Sequence, residues 1–254
     1  HGIGRDAVRP SVAASLAAQV WKEHISIGIG SVFLAGVDGK IEVLKIYTSD
    51  LPPITELAIA IKLKPSAIAG IQYRQPIKEG HTLYFGTSWR QENFVAADVR
   101  INVQLPPISG ISVLHATALH LLGYYEPHVF TAGIAYEWKR VTLYADTEYQ
   151  MWSRFSRGLT RELLEGLPGF KDIWIPRGGT EVALPFWDLK IRTGYGYIPP
   201  ITPQQSGSSN YLDNGKHLLS FGLGKIFGSL PRLNSRVKLD VAFQWQYWVT
   251  RETV

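Results

Sequence analysis

The stretch Val237 to Val249, VKLDVAFQWQYWV, constrains the fold more tightly than any other part of the chain. Successive side chains of a strand point to opposite faces. Val237, Leu239, Val241, Phe243, Trp245, Tyr247 and Val249 therefore share one face, with Lys238, Asp240, Ala242, Gln244, Gln246 and Trp248 on the other. A soluble strand can alternate in the same way, but its apolar face then needs a covering layer. Here the alternation recurs along most of the chain, and no helical layer is left to cover it. The solvent that suits such a face is a lipid bilayer.

No run of about 18 apolar residues occurs, so helical membrane spanning is excluded, and a closed barrel is the remaining way to satisfy every backbone group in lipid. Composition agrees: of 254 residues, charged types make up 19% and aromatics 12%, with 8 Trp, 12 Tyr and 24 Gly. Such a mix suits many strands, tight turns and interfacial rings of aromatic side chains. The net charge of +5 is scattered and interleaved with acidic residues, which argues against a nucleic-acid partner. The absence of Cys removes thiol catalysis, disulfides and Cys-ligated zinc.

Enzymatic signatures are missing as well. The histidines at 1, 24, 81, 115, 120, 128 and 217 give no H-E-x-x-H pattern or metal spacing. No G-x-S-x-G occurs, which leaves Ser88 or Ser112 beside His81 or His115 as a weak hydrolase arrangement. Gly28 and Gly30 in SIGIGS open no helix and so make no nucleotide loop. The expectation is a non-enzyme with no cofactor and no metal.

Alternation and turn residues place strands at Ser11–Trp21, Ile25–Gly36, Ile41–Thr48, Ile54–Lys64, Ser66–Gln75, Gly80–Gln91 and Phe94–Leu105. Further strands are expected near Ser112–Tyr124 and at His128–Trp138, Arg140–Trp152, Asp172–Leu184, Asp188–Tyr197, His217–Phe227 and Arg236–Val249. In Phe94–Leu105 the inward face carries Asp98, Arg100, Asn102 and Gln104. SDLPP reads as a turn, RELLEGL as a short helix in an extended loop, and IPPITPQQSGSSNYLDNG as a long loop. No linker or repeat divides the chain, so residues 1–254 read as a single all-β domain: an antiparallel transmembrane β-barrel with about a dozen strands visible. HGIGRDAVRP at the start has neither an initiator Met nor an apolar signal segment, so a processed or trimmed chain is expected.

Four segments carry a family resemblance: MWSRF at Met151–Phe155, GFKDIWIPRGGTEVAL at Gly169–Leu184, LKIRTGYGYIPPITPQQ at Leu189–Gln205, and NYLDNGKHLLSFGLGKIF at Asn210–Phe227. In order and spacing they resemble the closing strands of the long-chain fatty acid transporter (FadL/TodX-like) family of outer-membrane barrels. SVAASLAAQVWKEHISIGIG at the front is similar to a mid-barrel hairpin of that family. The resemblance implies a fourteen-stranded barrel in the bacterial outer membrane, plugged by an N-terminal hatch bearing an Asn-Pro-Ala motif. Neither that motif nor the first strands occurs in these residues, so the chain reads as the C-terminal two-thirds of such a barrel, with upstream residues expected to complete it.

The activity implied is passive, hatch-gated transport of long-chain fatty acids or other hydrophobic small molecules, with outer-membrane lipids as surroundings. The alternative is a structural or interaction barrel that binds envelope proteins without transport. A transporter of this kind needs an apolar slot and a cation to replace water around a carboxylate. Lys171, in GFKD, matches a basic position near the family's ligand pocket. Arg177, Arg192 and Arg100 are further candidates because they sit on strands with lumen-facing neighbours, where pairing with Asp98, Asp146, Glu148, Glu181 or Asp240 is the competing role. Phe155, Phe170, Trp174 and Phe186 are candidates for a hydrophobic groove, with interfacial anchoring as the competing role. Asp213 is expected to fix turn geometry.

Overall fold

The computed structural model describes residues 11–46, 54–108, 111–158, 169–204, 213–229 and 236–251. They form one sheet of twelve strands: β1 Ser11–Trp21, β2 Ile25–Ile46, β3 Ile54–Lys78, β4 His81–Arg90, β5 Asn93–Ile108, β6 Ile111–Glu126, β7 Val129–Trp138, β8 Val141–Gln150, β9 Ile173–Leu184, β10 Leu189–Ile198, β11 Lys216–Ser229 and β12 Arg236–Trp248. Short 3₁₀ turns occupy Trp152–Gly158 and Pro185–Trp187. Among the described residues no helix is long and apolar enough to cross a membrane. SDLPP and RELLEGL lie outside the described residues.

β1 to β4 pair in chain order, and β7 to β12 likewise, all antiparallel. The two halves join where β4 pairs directly with β7, from Arg90↔Val129 to His81↔Trp138. Alternation predicts Phe94–Leu105 as a wall strand, but the β4–β7 ladder leaves no edge for it to occupy. Instead β5 and β6 pair with each other, from Asn93↔Glu126 to Ile108↔Ile111, and form a hairpin outside the wall. A hairpin satisfies its inner ladder alone and needs no place in the wall.

The strands read separately at Ile25–Gly36 and Ile41–Thr48 are one 22-residue strand, β2, and those at Ile54–Lys64 and Ser66–Gln75 are one 25-residue strand, β3. β1 follows β2 only as far as Leu34, and β4 follows β3 only from Ile68. Beyond those points β2 and β3 continue as a second projecting hairpin, paired from Ala35↔Leu63 to Leu44↔Ile54. Pro65 sits in this strand where β4 has ended, so its missing N–H breaks no ladder on that side. The two hairpins meet near their far ends, through a short parallel pairing of Lys45 and Ile46 with Val103 and Gln104.

Connections through 22–24, 79–80, 139–140 and 185–188 lie at one end of the wall, hereafter the turn end. Both projecting hairpins and the described parts of the long connections, 151–158, 169–172, 199–204 and 213–215, lie at the other, the loop end. Short turns on one side and long loops on the other are the habit of outer-membrane barrels. The sheet is not closed: among the described residues β1 pairs only with β2, and β12 only with β11.

The apolar face is turned outward. On β12, Leu239, Val241, Phe243, Trp245 and Tyr247 are each more than half exposed, and Leu219, Phe221 and Leu223 of β11, Ile134 of β7 and Ile27 and Ile29 of β2 continue the surface. From Leu239 to Tyr247 the strand rises roughly 26 Å, which at a barrel tilt of about 40° gives a band about 20 Å tall. Aromatic rings crowd its loop-end margin, where His217 packs on Tyr197 at 4.9 Å between ring centres and its Nδ1 lies 2.7 Å from the Tyr195 hydroxyl. At the turn end His81 stacks with Trp138 at 6.4 Å and lies 2.6 Å from the Tyr136 hydroxyl. The apolar residues buried among those described are only Val129, Ile173 and Ile175, so the wall has no core of its own.

Candidate functional site

The inner face divides in two. On β8 to β12 it carries a ladder of charges whose members are paired. Arg177 reaches Asp146 at 2.7 Å and Glu148 at 3.2 Å. Glu181 takes Lys190 and Arg192, each at 2.6 Å, and Arg192 continues to Asp240 at 2.7 Å, which also meets Lys238 at 3.0 Å. Arg192 is opposite Gly222 on β11, while Asp240 of β12 is opposite Gly224. To span that intervening strand, the guanidinium lies across the glycines: a methyl group on Gly224 would overlap Asp240 Oδ1 and sit 3.2 Å from Arg192 Nη1. Arg177 and Arg192, both predicted as ligand candidates, are thus engaged with carboxylates.

Above the ladder, at the loop end, the chain covers its own inner face. Val129, Gln150 and Ile173 lie in one row across β7, β8 and β9, and Ile175 lies opposite Glu148 one step deeper. Burial to about one-twentieth of full exposure marks Val129, Ile173 and Ile175 as the floor of this region. Over it runs an aromatic cluster. Tyr125 packs on Trp152 at 5.8 Å and on Phe155 at 5.0 Å, and Phe155 meets Phe170 edge-on at 4.8 Å. The Trp152 indole N–H donates to Gln150 Oε1 at 2.6 Å, and the Gln150 amide donates to Glu148 at 2.5 Å, so the cluster is linked to the Arg177 end of the ladder.

Lys171 follows Phe170 at the edge of this cluster. Its backbone N–H donates to the Ile201 carbonyl at 2.7 Å, while its side chain is exposed and has no partner among the described residues. Asp172 fastens the same segment from the other side, accepting the Ser153 N–H at 2.8 Å and the Tyr149 hydroxyl at 2.8 Å. Burial alone would raise the Asp172 carboxyl, but those hydrogen bonds, with Arg154 nearby, hold it below the usual carboxylate range. The 199–215 connection is tied at its base: Asp213 accepts the Thr202 N–H at 2.7 Å, and Arg251 donates to Thr202 and to the Asp213 carbonyl. Asp213 fixes the loop, as its sequence position suggests.

Of the predicted groove residues, Phe155 and Phe170 are brought together, and Lys171, predicted as the cation, follows Phe170 in the chain. Trp174 is directed outward, 59% exposed and packed on Tyr149 at 4.6 Å, in the position of an interfacial anchor. Phe186 lies in the turn at Pro185–Trp187, at the opposite end from Phe155 and Phe170. Arg100 lies on β5, opposite Ala118 and outside the wall, and its side chain falls outside the described residues. Sequence reasoning did not find Tyr125, Trp152 or Gln150. Trp152 lies within the quoted MWSRF segment, but Tyr125 joins only because β6 ends where β7 begins. A separate cavity of about 370 Å³ at the turn end, lined by Gln19, Glu23, His24, Ser26, Gln72, Arg74 and Tyr84, is polar and contains none of the candidates. Among the described residues no group of three or more His, Asp or Glu is placed to hold a metal ion.

No family model matches the chain. It is 24% identical over 177 residues to alkane uptake protein A of Marinobacter nauticus, a match covering 65% of this chain and 38% of that protein. Among solved structures, a Pseudomonas aeruginosa FadL homologue matches with a TM-score of 0.59 at 15% identity, covering 94% of this chain and 59% of that one. The outer membrane transporter YddB of Escherichia coli matches at a TM-score of 0.35, too low to bear on the fold. The chain thus has the antiparallel barrel fold of the FadL type that its closing segments resemble, and it spans less than two thirds of each relative's length.

Proposed function

We propose that this chain forms most of the wall of a bacterial outer-membrane barrel that takes up hydrophobic small molecules. The observation that carries the reading is the cluster of Tyr125, Trp152, Phe155 and Phe170 beside the unpartnered Lys171, at the loop end of a wall whose outer face is apolar. The similarity to an alkane uptake protein and to a FadL homologue supports it. An alkyl chain leaves water on the aromatic rings, and burying about sixteen methylenes is worth roughly 12 kcal/mol before entropy costs. Lys171 replaces water around a carboxylate head, which makes a long-chain fatty acid the favoured ligand over an alkane.

Deeper passage meets the paired charges from Asp146 to Lys238, which offer neither a free cation nor an apolar surface. Entry in this reading is passive, and release is the slow step, relieved by movement of a hatch of the kind the family resemblance implies. The test is uptake and binding of a labelled long-chain fatty acid, in a transporter-deficient strain and with purified protein. Restored uptake together with saturable binding is expected. Lys171→Ala should weaken fatty-acid binding and leave alkane binding intact. Absence of both binding and uptake overturns the transport reading, and an unchanged fatty-acid affinity removes Lys171 from the site.

A second reading is favoured by the β5–β6 hairpin, since among the described residues β6 pairs only with β5 and presents a free edge. An envelope protein could add a strand there, making the barrel a docking element. Shortening the hairpin between Ala97 and Leu121, which keeps Tyr125 in the cluster, separates the two: loss of uptake assigns the hairpin to transport, whereas intact uptake with loss of a co-purifying envelope protein assigns it to docking.

A further inference from the structure

The rings of the loop-end aromatic cluster carry two polar atoms, and both are turned onto protein acceptors. The Trp152 indole N–H donates to Gln150 Oε1 at 2.6 Å, and the Tyr125 hydroxyl reaches Glu92 Oε2 at 3.5 Å. Phe155 and Phe170, which complete the cluster, have no polar side-chain atom to satisfy. The rings therefore present hydrocarbon and not donors.

The surroundings of Gln150 account for this. Its neighbours across β7 and β9 are Val129 and Ile173, both buried and apolar, so its amide finds no partner along its own row. A half-buried amide left unpaired is costly. It is satisfied along the chain instead, by Glu148 two residues earlier on the same face and by Trp152 two residues later, at the start of the 3₁₀ turn. An indole only donates and an ionised carboxylate only accepts, which fixes the amide one way round: oxygen toward Trp152, nitrogen toward Glu148. The other oxygen of Glu148 faces Arg177 Nη2 at 3.2 Å, and Arg177 Nε in turn donates to Asp146 at 2.7 Å. The contacts from Asp146 to Trp152 thus run in one polarity, and the last member is an indole of the ligand cluster.

We infer that Gln150 is the positioning residue that sets the selectivity of this site: by holding the Trp152 N–H, it makes the cluster select an unsubstituted hydrocarbon chain over one bearing a hydroxyl. This rests on the reading of the cluster as the place where an alkyl chain binds. A hydroxyl brought against the rings gives up its water and finds no ring donor free to replace it, whereas a methylene gives up nothing of the kind. Gln150 acts through Trp152, so its replacement changes which chains are accepted and not only how tightly.

The experiment is displacement of a labelled long-chain fatty acid from the detergent-purified protein by stearate and by the hydroxystearate with its hydroxyl at mid-chain, for the wild type, Gln150→Leu, Trp152→Phe and the double variant. The two competitors share one carboxylate, so the contribution of Lys171 cancels in their ratio. The wild type should favour stearate by roughly tenfold or more. Gln150→Leu releases the indole N–H and Trp152→Phe releases the amide oxygen, so each single variant should lower that preference several-fold. The double variant removes both halves of the pair and should restore it. A wild type that binds no labelled fatty acid overturns the uptake reading itself, whereas a wild type that binds both competitors equally overturns the selectivity alone. Single variants that weaken both acids in proportion, or a double variant that does not restore the ratio, overturn it too, because a merely structural Gln150 leaves the preference unchanged. Heat-modifiable mobility checks that each variant folds. Where Gln150→Leu does not, Trp152→Phe carries the test, and an unchanged ratio there overturns the inference.

Discussion

The adjacent glycines Gly178 and Gly179 in β9 test the assignment of inner and outer faces at single-residue resolution. A methyl group on Gly178 would have Tyr144 O as its nearest neighbour, at 3.6 Å, which is ordinary contact. On Gly179 it would lie 2.8 Å from the Thr193 carbonyl oxygen and 3.5 Å from the Gly194 Cα, both backbone atoms of the paired strand β10. Those atoms cannot swing aside as a side-chain terminus can, so β9 and β10 must separate locally. Replacing glycine by alanine in a compatible extended position gains about 0.4–1 kcal/mol from the unfolded chain. Gly178→Ala should keep that gain. Gly179→Ala starts from the same gain but incurs overpacking of about 1–3 kcal/mol. The two variants should therefore differ by about 2 kcal/mol in opposite directions, or about 4–8 °C in midpoint for a chain of this size. Heat-modifiable gel mobility of the refolded barrel in detergent reads the midpoint. Equal midpoints, or a higher midpoint for Gly179→Ala, would refute the register of β9 against β10 on which the charge ladder depends.

Phe243→Lys on the outer face should destabilise the folded barrel by about 2–4 kcal/mol, while Gln244→Lys on the inner face should change the same mobility midpoint little. Phe155→Ala should weaken fatty-acid binding by roughly fivefold through loss of its edge-on contacts, measured by displacement of a labelled fatty acid. Because Asp172 titrates below its unfolded value, its contribution to holding the 151–172 connection is fully present above about pH 4 and fades as pH falls through the depressed value. Proteolysis of that connection should accelerate on acidification, and Asp172→Asn should remove this pH dependence.

The strands were legible because a wall between lipid and lumen must alternate. Val237–Val249 and β12, Arg236–Trp248, coincide almost residue for residue. Even the Ala-rich Ser11–Trp21 segment, which also suits a helix, is strand β1. Pairing partners were not legible. Alternation records that a strand has two unlike faces, and a projecting hairpin meets that condition as well as a wall strand does. The direct β4–β7 ladder that excludes β5 and β6 is therefore invisible in one dimension. The same limit applies to the candidate site. Phe155, Phe170 and Lys171 lie close in sequence and could be grouped, whereas Tyr125 enters only through the position of the hairpin that the pattern misplaces.

The charge ladder also shows why counting lumen cations does not find a ligand site. Arg177 and Arg192 lie on inner-facing positions, as the alternation requires, yet each is matched by carboxylates on neighbouring strands at fixed register. A ligand carboxylate would have to displace a partner already held at 2.6–2.7 Å, and the displaced acid would then be left without its cation. Lys171 carries no such debt because it sits in a connection, where no facing strand supplies an acid. In the proposed reading the cation open to a ligand carboxylate therefore belongs to a connection, while Arg177 and Arg192 tie neighbouring strands of the wall together.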